Sequence, residues 1–185
     1  MDSGSAEGYV NAFAVVGYLP EPLAGFVDNL RRELAPDCIS KAHVTILPPR
    51  PLACSRETAW KQLREHMQGI EPFRVELQEV KRFPDSDVIY ISIGEGYQDL
   101  EWLHSKLDHG HFKFCEPWFY HPHITLARQL DPARVAAGFD LATRRWSEFK
   151  HTRSFTLDHV TLVQNIVEDV WKDLEDYDMQ PAHRI

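Results

Sequence analysis

Two short segments constrain this chain more than any other feature. Residues 42–47 read AHVTIL and residues 122–128 read PHITLAR. Each runs small residue or proline, histidine, β-branched residue, threonine, aliphatic residue. β-Branched residues and alternation specify strands. In a strand, residues i and i+2 face the same side. His43 and Thr45 therefore share a face, and so do His123 and Thr125. Val44 and Ile124 point the other way, into a core. Any fold that accommodates both segments holds two half-buried strands, each offering an imidazole beside a hydroxyl.

The order of the surrounding elements suggests a duplication. Residues 9–19 predict a buried strand. Residues 20–36 predict a helix, with Pro22 in its first turn and Leu23, Phe26, Val27, Leu30 and Leu34 at helical spacing. The strand at 42–47 is expected to stop at the proline-rich PPRPL. Ser55 is a candidate N-cap for a helix carrying Trp60, Leu63 and Met67. Residues 73–83 and 88–94 predict a hairpin turning at PDSD. Residues 97–109 predict a helix with Leu100, Leu103 and Leu107 on one stripe. After the strand at 123–127, Asp131-Pro132 opens another helix. Residues 154–164 and 170–179 predict two closing strands. Strand, helix, His-x-Thr strand, helix and hairpin fill the first half. Helix, His-x-Thr strand, helix and two strands fill the second. Two lobes of one α+β domain spanning residues 1–185 are expected.

Composition narrows the function classes. A chain of 185 residues that is 43% hydrophobic can bury a substantial core. The net charge of −8 argues against a broad grip on duplex DNA, but leaves room for one phosphate in a local pocket. No apolar run approaches membrane-spanning length, and the first residues lack the pattern of a secretory signal. Three cysteines without a CxxC fit the reducing cytoplasm. A monomer is expected.

A third His-x-Thr occurs at His159-Val160-Thr161. Strands favour threonine, so spacing alone leaves a shared site and ordinary strand residues both open. Context separates the three: the third has a flanking Asp and neither Pro nor Arg nearby, and is expected to be structural. His109, His111, His121 and His123 crowd into a short stretch and raise a metal site. No acidic or cysteine ligand is obviously associated with them, and a metal would leave Thr125 without a role, so no metal is expected. Phe83 at the hairpin tip, and Trp118, Phe119 and Tyr120 ahead of the second motif, are candidate base-stacking residues, with core packing as the competing reading. Lys41 and Arg50 flank the first motif as candidate substrate contacts, each more simply a solvated charge. Arg128 lies five residues past His123, an odd offset that needs a bend, or its long side chain, to bring it to the same side.

With both motifs in view, the chain resembles the two-histidine phosphoesterase superfamily, most closely the RNA 2′,3′-cyclic phosphodiesterase (2′-5′ RNA ligase-like) family. The resemblance covers both motifs, the order of elements and the late strand containing HVTLVQ. It implies a bilobal α+β fold of pseudo-twofold lobes, antiparallel-rich sheets, outer helices and a central cleft lined by the motif strands. It implies His43 and His123 as the catalytic pair, with Thr45, Thr125 and Arg128 on the phosphate. It also implies no cofactor, and as partner an RNA 2′,3′-cyclic phosphate end or a small cyclic nucleotide. The stretch LPPRPL departs from the glycine-containing segment that many members carry there, which bears on substrate class. A non-catalytic nucleotide- or RNA-end-binding module and a histidine-rich metalloprotein are the competing functions.

Overall fold

In the computed structural model, residues 12–84, 86–167 and 170–180 are described. Residues 9–11 of the expected first strand, Asp85 in the expected turn, and the C-terminal HRI lie outside them. The elements are β1 (Ala12–Tyr18), α1 (Leu23–Leu34), β2 (His43–Pro51), α2 (Arg56–Met67), β3 (Phe73–Arg82), β4 (Ile89–Ile93), α3 (Tyr97–Leu107), a 3-10 turn (Gly110–Phe112), β5 (His123–Ala127), α4 (Pro132–Glu148), β6 (Ser154–Leu157), β7 (His159–Val167) and β8 (Val170–Asp178).

The strands form two antiparallel four-stranded sheets, ordered β2-β1-β7-β8 and β5-β4-β3-β6. Each motif strand is the edge strand of its own sheet. The chain is α+β and bilobal, as expected, but the lobes do not follow the halves of the sequence. The β3–β4 hairpin belongs to the second sheet, and the closing pair β7–β8 returns to the first. The repeating unit is therefore strand, helix, motif strand, helix: β1-α1-β2-α2 and β4-α3-β5-α4. The helices are exchanged as well. α1 packs against β5, and α3 packs against β2.

Local chemistry accounts for most boundaries. Ser55 caps α2 by accepting from the Thr58 N–H at 3.2 Å, and Asp131 caps α4 by accepting from Ala133 at 2.9 Å. Pro22 is the N-cap of α1 rather than part of its first turn. Two strand expectations fail. β2 does not stop at the prolines but runs through Pro48 and Pro49 to Pro51, because an edge strand has a free side where a missing N–H costs nothing. Residues 154–164 are not one strand. β6 ends at Leu157 and pairs with β3, while β7 begins at His159 and pairs with β1, so the chain changes sheets across Asp158.

One apolar core joins both sheets to the helices. It takes Val15, Val44 and Leu162 from the first, Val75, Ile91 and Ile124 from the second, and Leu30 and Leu103 from α1 and α3. Burying one face of each motif strand in this core turns its histidine and threonine the other way.

Candidate active site

β2 and β5 come together between the lobes. His43, Thr45, His123 and Thr125 are half-buried, while Val44, Ile46, Ile124 and Leu126 are fully buried. The period-two alternation seen in the sequence is thus realised on both strands.

The two histidines are held alike. His43 Nδ1 lies 2.7 Å from the Lys41 carbonyl, and His123 Nδ1 lies 2.6 Å from the His121 carbonyl, in each case two residues back. A carbonyl only accepts, so Nδ1 carries the proton. In the neutral ring Nε2 is then left with its lone pair. Burial pushes the His43 pKa down to about 4. The Arg31 cation adds to this, with smaller pushes from His123 and Arg128, against the opposing pull of the Lys41 carbonyl. Burial also lowers the pKa of His123; its bond to the His121 carbonyl opposes this, and His121 and Arg31 add to it. Both rings are therefore neutral bases near pH 7 in the free protein.

Arg31 had no motif to announce it. Only 3% exposed on α1, it lies where that helix packs against β5. Its Nε donates to the Thr125 carbonyl at 2.7 Å, and Nη1 donates to the Ser40 and Lys41 carbonyls at 3.2 and 2.8 Å. The sequence did carry one signal: Arg31 sits four residues after Val27 and three before Leu34, inside the apolar stripe. Arg128 follows the last residue of β5, and Gln129 turns the chain with φ of 56°. The Arg128 side chain is exposed, and its charge is felt at His43.

The aromatic candidates separate. Phe83 stacks on Tyr90 at 4.2 Å and stands edge-on to His123 at 5.2 Å. Tyr120 is not an open platform, since its ring is stacked on His104 at 3.9 Å and its hydroxyl donates to the Thr45 carbonyl at 2.8 Å. Trp118 and Phe119 are 81% and 102% exposed.

Other candidates leave the site. Arg50 is 2% exposed and not solvated. Its guanidinium pairs with Asp108 at 2.8 Å and with Glu116, and donates to the Phe112 carbonyl. The Lys41 ammonium pairs with Asp173 at 2.7 Å. His159 bonds the neighbouring Asp158, and buried Thr161 donates to Asp176 at 2.6 Å, so the third His-x-Thr is spent within the first sheet. His109 and His111 lie at the 3-10 turn, where Gln62 of α2 takes their backbone groups. His121 bonds Tyr97 at 3.1 Å. Among the described residues no three His, Cys, Asp or Glu side chains are arranged to hold a metal ion.

A bilobal fold with paired motif strands at the junction describes a phosphoesterase of the two-histidine class, and comparison with known proteins agrees. The family model described as "2'-5' RNA ligase superfamily" matches residues 19–168, and the chain belongs to that superfamily. A Halalkalibacterium halodurans protein named "Putative phosphoesterase" is 22% identical over 174 residues, covering 89% of this chain and 95% of the relative. One from Oceanobacillus iheyensis with the same description is 35% identical over 72 residues, covering 38% and 42%. Among solved structures, E. coli LigT complexed with NADP+ superposes with TM-score 0.59 at 16% identity, covering 94% of this chain and 99% of that one. Kluyveromyces marxianus Usb1 with uridine monophosphate gives TM-score 0.51 at 11% identity, covering 89% and 98%. Among the described residues no helix is long and apolar enough to cross a membrane.

Proposed function

We propose that this protein opens 2′,3′-cyclic phosphates, on RNA ends or small nucleotides, to 2′-phosphates. The observation that carries the reading is the matched anchoring of His43 and His123 by Nδ1, which leaves two Nε2 atoms for proton transfer. In hydrolysis one histidine removes a proton from water as the oxygen attacks phosphorus in line. The bond from phosphorus to O3′ breaks, and the other histidine, protonated, gives its proton to O3′. Thr45, Thr125 and Arg128 hold the non-bridging oxygens as charge gathers on them. Both proton transfers are supplied by side chains, so the scheme requires no metal or other cofactor. With an RNA 5′-hydroxyl in place of water as the nucleophile, the same displacement of O3′ joins RNA ends through a 2′-5′ linkage with the histidines in the same roles; they exchange roles when O3′ attacks that linkage and expels the 5′-oxygen.

The low histidine pKa values belong to the empty cleft. An anionic phosphate between the rings favours the imidazolium, so substrate itself charges the histidine that serves as acid. Nucleotide complexes of LigT and of Usb1, the latter with uridine monophosphate, support a nucleotide-sized substrate. Trp118 and Phe119 are exposed rings available to a base, and Phe83 stands beside His123. We infer a monomer in one domain, acting in the cytoplasm, where the free thiols of Cys38, Cys54 and Cys115 stay reduced.

The test is hydrolysis of nucleoside 2′,3′-cyclic monophosphates and of a short RNA with a 2′,3′-cyclic end, in EDTA, with 2′- and 3′-phosphate products resolved. A 2′-phosphate product is expected. A 3′-phosphate product, or dependence on added metal, contradicts the scheme. Binding of the cyclic nucleotide without turnover would favour the non-catalytic module instead.

A further inference from the structure

The two motif strands are edge strands of different sheets, so no ladder hydrogen bond fixes their spacing. Opposed proton transfers at one phosphorus nevertheless require that spacing to be held closely. Two side chains bridge the gap, one from each direction. Arg31, on the helix that follows β1, donates to the Thr125 carbonyl of β5. Tyr120, in the segment leading into β5, donates to the Thr45 carbonyl of β2. The acceptors are the carbonyls of the two motif threonines themselves.

Each bridge is braced. Arg31 also holds the Ser40 and Lys41 carbonyls, and Lys41 O is the same oxygen that anchors His43 Nδ1. One guanidinium therefore touches the backbone of β5 and the anchor of the opposite histidine. Tyr120 is stacked against His104, the planes 3° from parallel. His104 in turn lies 2.8 Å from the next carbonyl of β2, that of Ile46.

We propose that Arg31 and Tyr120 are positioning residues, reciprocal straps that lock β2 to β5 and set the separation of His43 and His123. The proposal rests on the reading of those histidines as the catalytic pair. Neither strap needs to touch substrate. Arg31 has a second effect that Tyr120 lacks, because its charge bears on both rings. The charged and titratable groups acting on His43 are Arg31, His123 and Arg128, and those acting on His123 are His121 and Arg31. Arg31 is the cation common to both.

The test uses the full chain with Tyr120→Phe, Arg31→Met and Arg31→Lys. It reads kcat and KM on a nucleoside 2′,3′-cyclic monophosphate, thermal melting, amide exchange at Thr45 and Thr125, and the ring titrations of His43 and His123 by NMR. Tyr120→Phe keeps the stack on His104 and loses one donor. It is expected to lower kcat about tenfold with KM within about twofold, and to speed exchange along β2. Arg31→Met is expected to lower kcat further and move both ring titrations to higher pH. Arg31→Lys is expected to restore the titrations without restoring kcat, since an ammonium supplies the charge but not the planar fork that spans both lobes. The proposal is overturned if kcat and strand exchange are unchanged in Tyr120→Phe and Arg31→Met. It is overturned equally if activity falls only in step with the folded fraction while the titrations stay put. A wild type silent on the cyclic nucleotide defeats the catalytic reading alone, and exchange and titration then decide whether the straps exist.

Discussion

The half-site around His43 and the half-site around His123 share a skeleton and differ in everything laid over it. Both histidines anchor Nδ1 on the carbonyl two residues back, at 2.7 and 2.6 Å. Around His43 the neighbours are polar. The Tyr18 ring stands edge-on at 6.4 Å, its hydroxyl bonded to Asp173, with the Lys41 ammonium over its face. Around His123 they are aromatic: Phe83, Tyr90 and, through His121, Tyr97. Proton transfer in both directions needs alike histidines, and the duplicated strands provide them. A nucleotide has a flat base on one side only, so the walls have no reason to match. On the proposed function, chemistry lies in the shared skeleton and substrate preference in what differs.

The strands are also secured differently, and this can be broken first. The far end of β2 is tied by Arg50, whose charge is buried against Asp108 and Glu116. Arg50→Ala takes the buried cation from both carboxylates, leaving Asp108 only its pairing with Lys113, and is expected to cost about 3–5 kcal/mol in chemical denaturation. The arginine just past β5, Arg128, is exposed. Arg128→Ala is expected to change stability by less than about 1 kcal/mol while weakening substrate turnover. A small stability change for Arg50→Ala would remove the contrast.

Acid sharpens the comparison. The His43 pKa is about 4 in the fold against roughly 6.5 in an unfolded chain. Between these values the unfolded chain takes up a proton that the folded chain refuses. Stability therefore falls as pH drops from about 6.5 to about 4, by at most about 1.4 kcal/mol per pH unit for this ring. His123 contributes in the same direction. Asp108 acts lower. Burial disfavours its charge, yet Lys113, the Phe114 N–H and Arg50 together hold it below the usual carboxylate range, so its contribution is lost only below about pH 3.8. Denaturant titrations across this range should show the upper step shrink in His43→Gln relative to the wild type. An upper step of equal size in the two would contradict the assignment.

Thr45→Val and Thr125→Val probe the shared skeleton. Each removes one hydroxyl donor to a phosphate oxygen and keeps the shape, so each is expected to lower kcat/KM about tenfold. A large effect at one and none at the other would break the equivalence of the strands. The smallest expected effects are at the walls. Trp118→Ala and Phe119→Ala should raise KM up to about tenfold if a base stacks there, with stability changed by no more than about 0.5 kcal/mol. An unchanged KM in both would leave the exposed rings without a role in binding.

Local signals carried much of this in the sequence itself. The strand period placed His43 with Thr45 and His123 with Thr125, and the caps at Ser55 and Asp131 marked two helix starts. The long-range terms were hidden. Nothing near residues 73–93 says that this hairpin joins the sheet of β5, because pairing is chosen by the whole core. The proline test failed at β2 because edge position, which relaxes it, is a property of topology. Arg50 shares the parity of Val44 and Ile46, so its buried side was readable, but its partners Asp108 and Glu116 lie 58 and 66 residues away. Arg31 and Tyr120 reach across 94 and 75 residues to carbonyls, and a carbonyl leaves no mark on a sequence.

The most direct test is a double-mutant cycle on the histidines, read as single-turnover hydrolysis of a 2′,3′-cyclic nucleotide in EDTA. If His43 and His123 act on the two sides of one phosphorus, His43→Ala and His123→Ala each lose about 10²–10⁴-fold, and the double variant loses little more than the worse single, because either loss already disables the concerted step. Losses that multiply in the double variant, or full activity in either single, would contradict the two-histidine account.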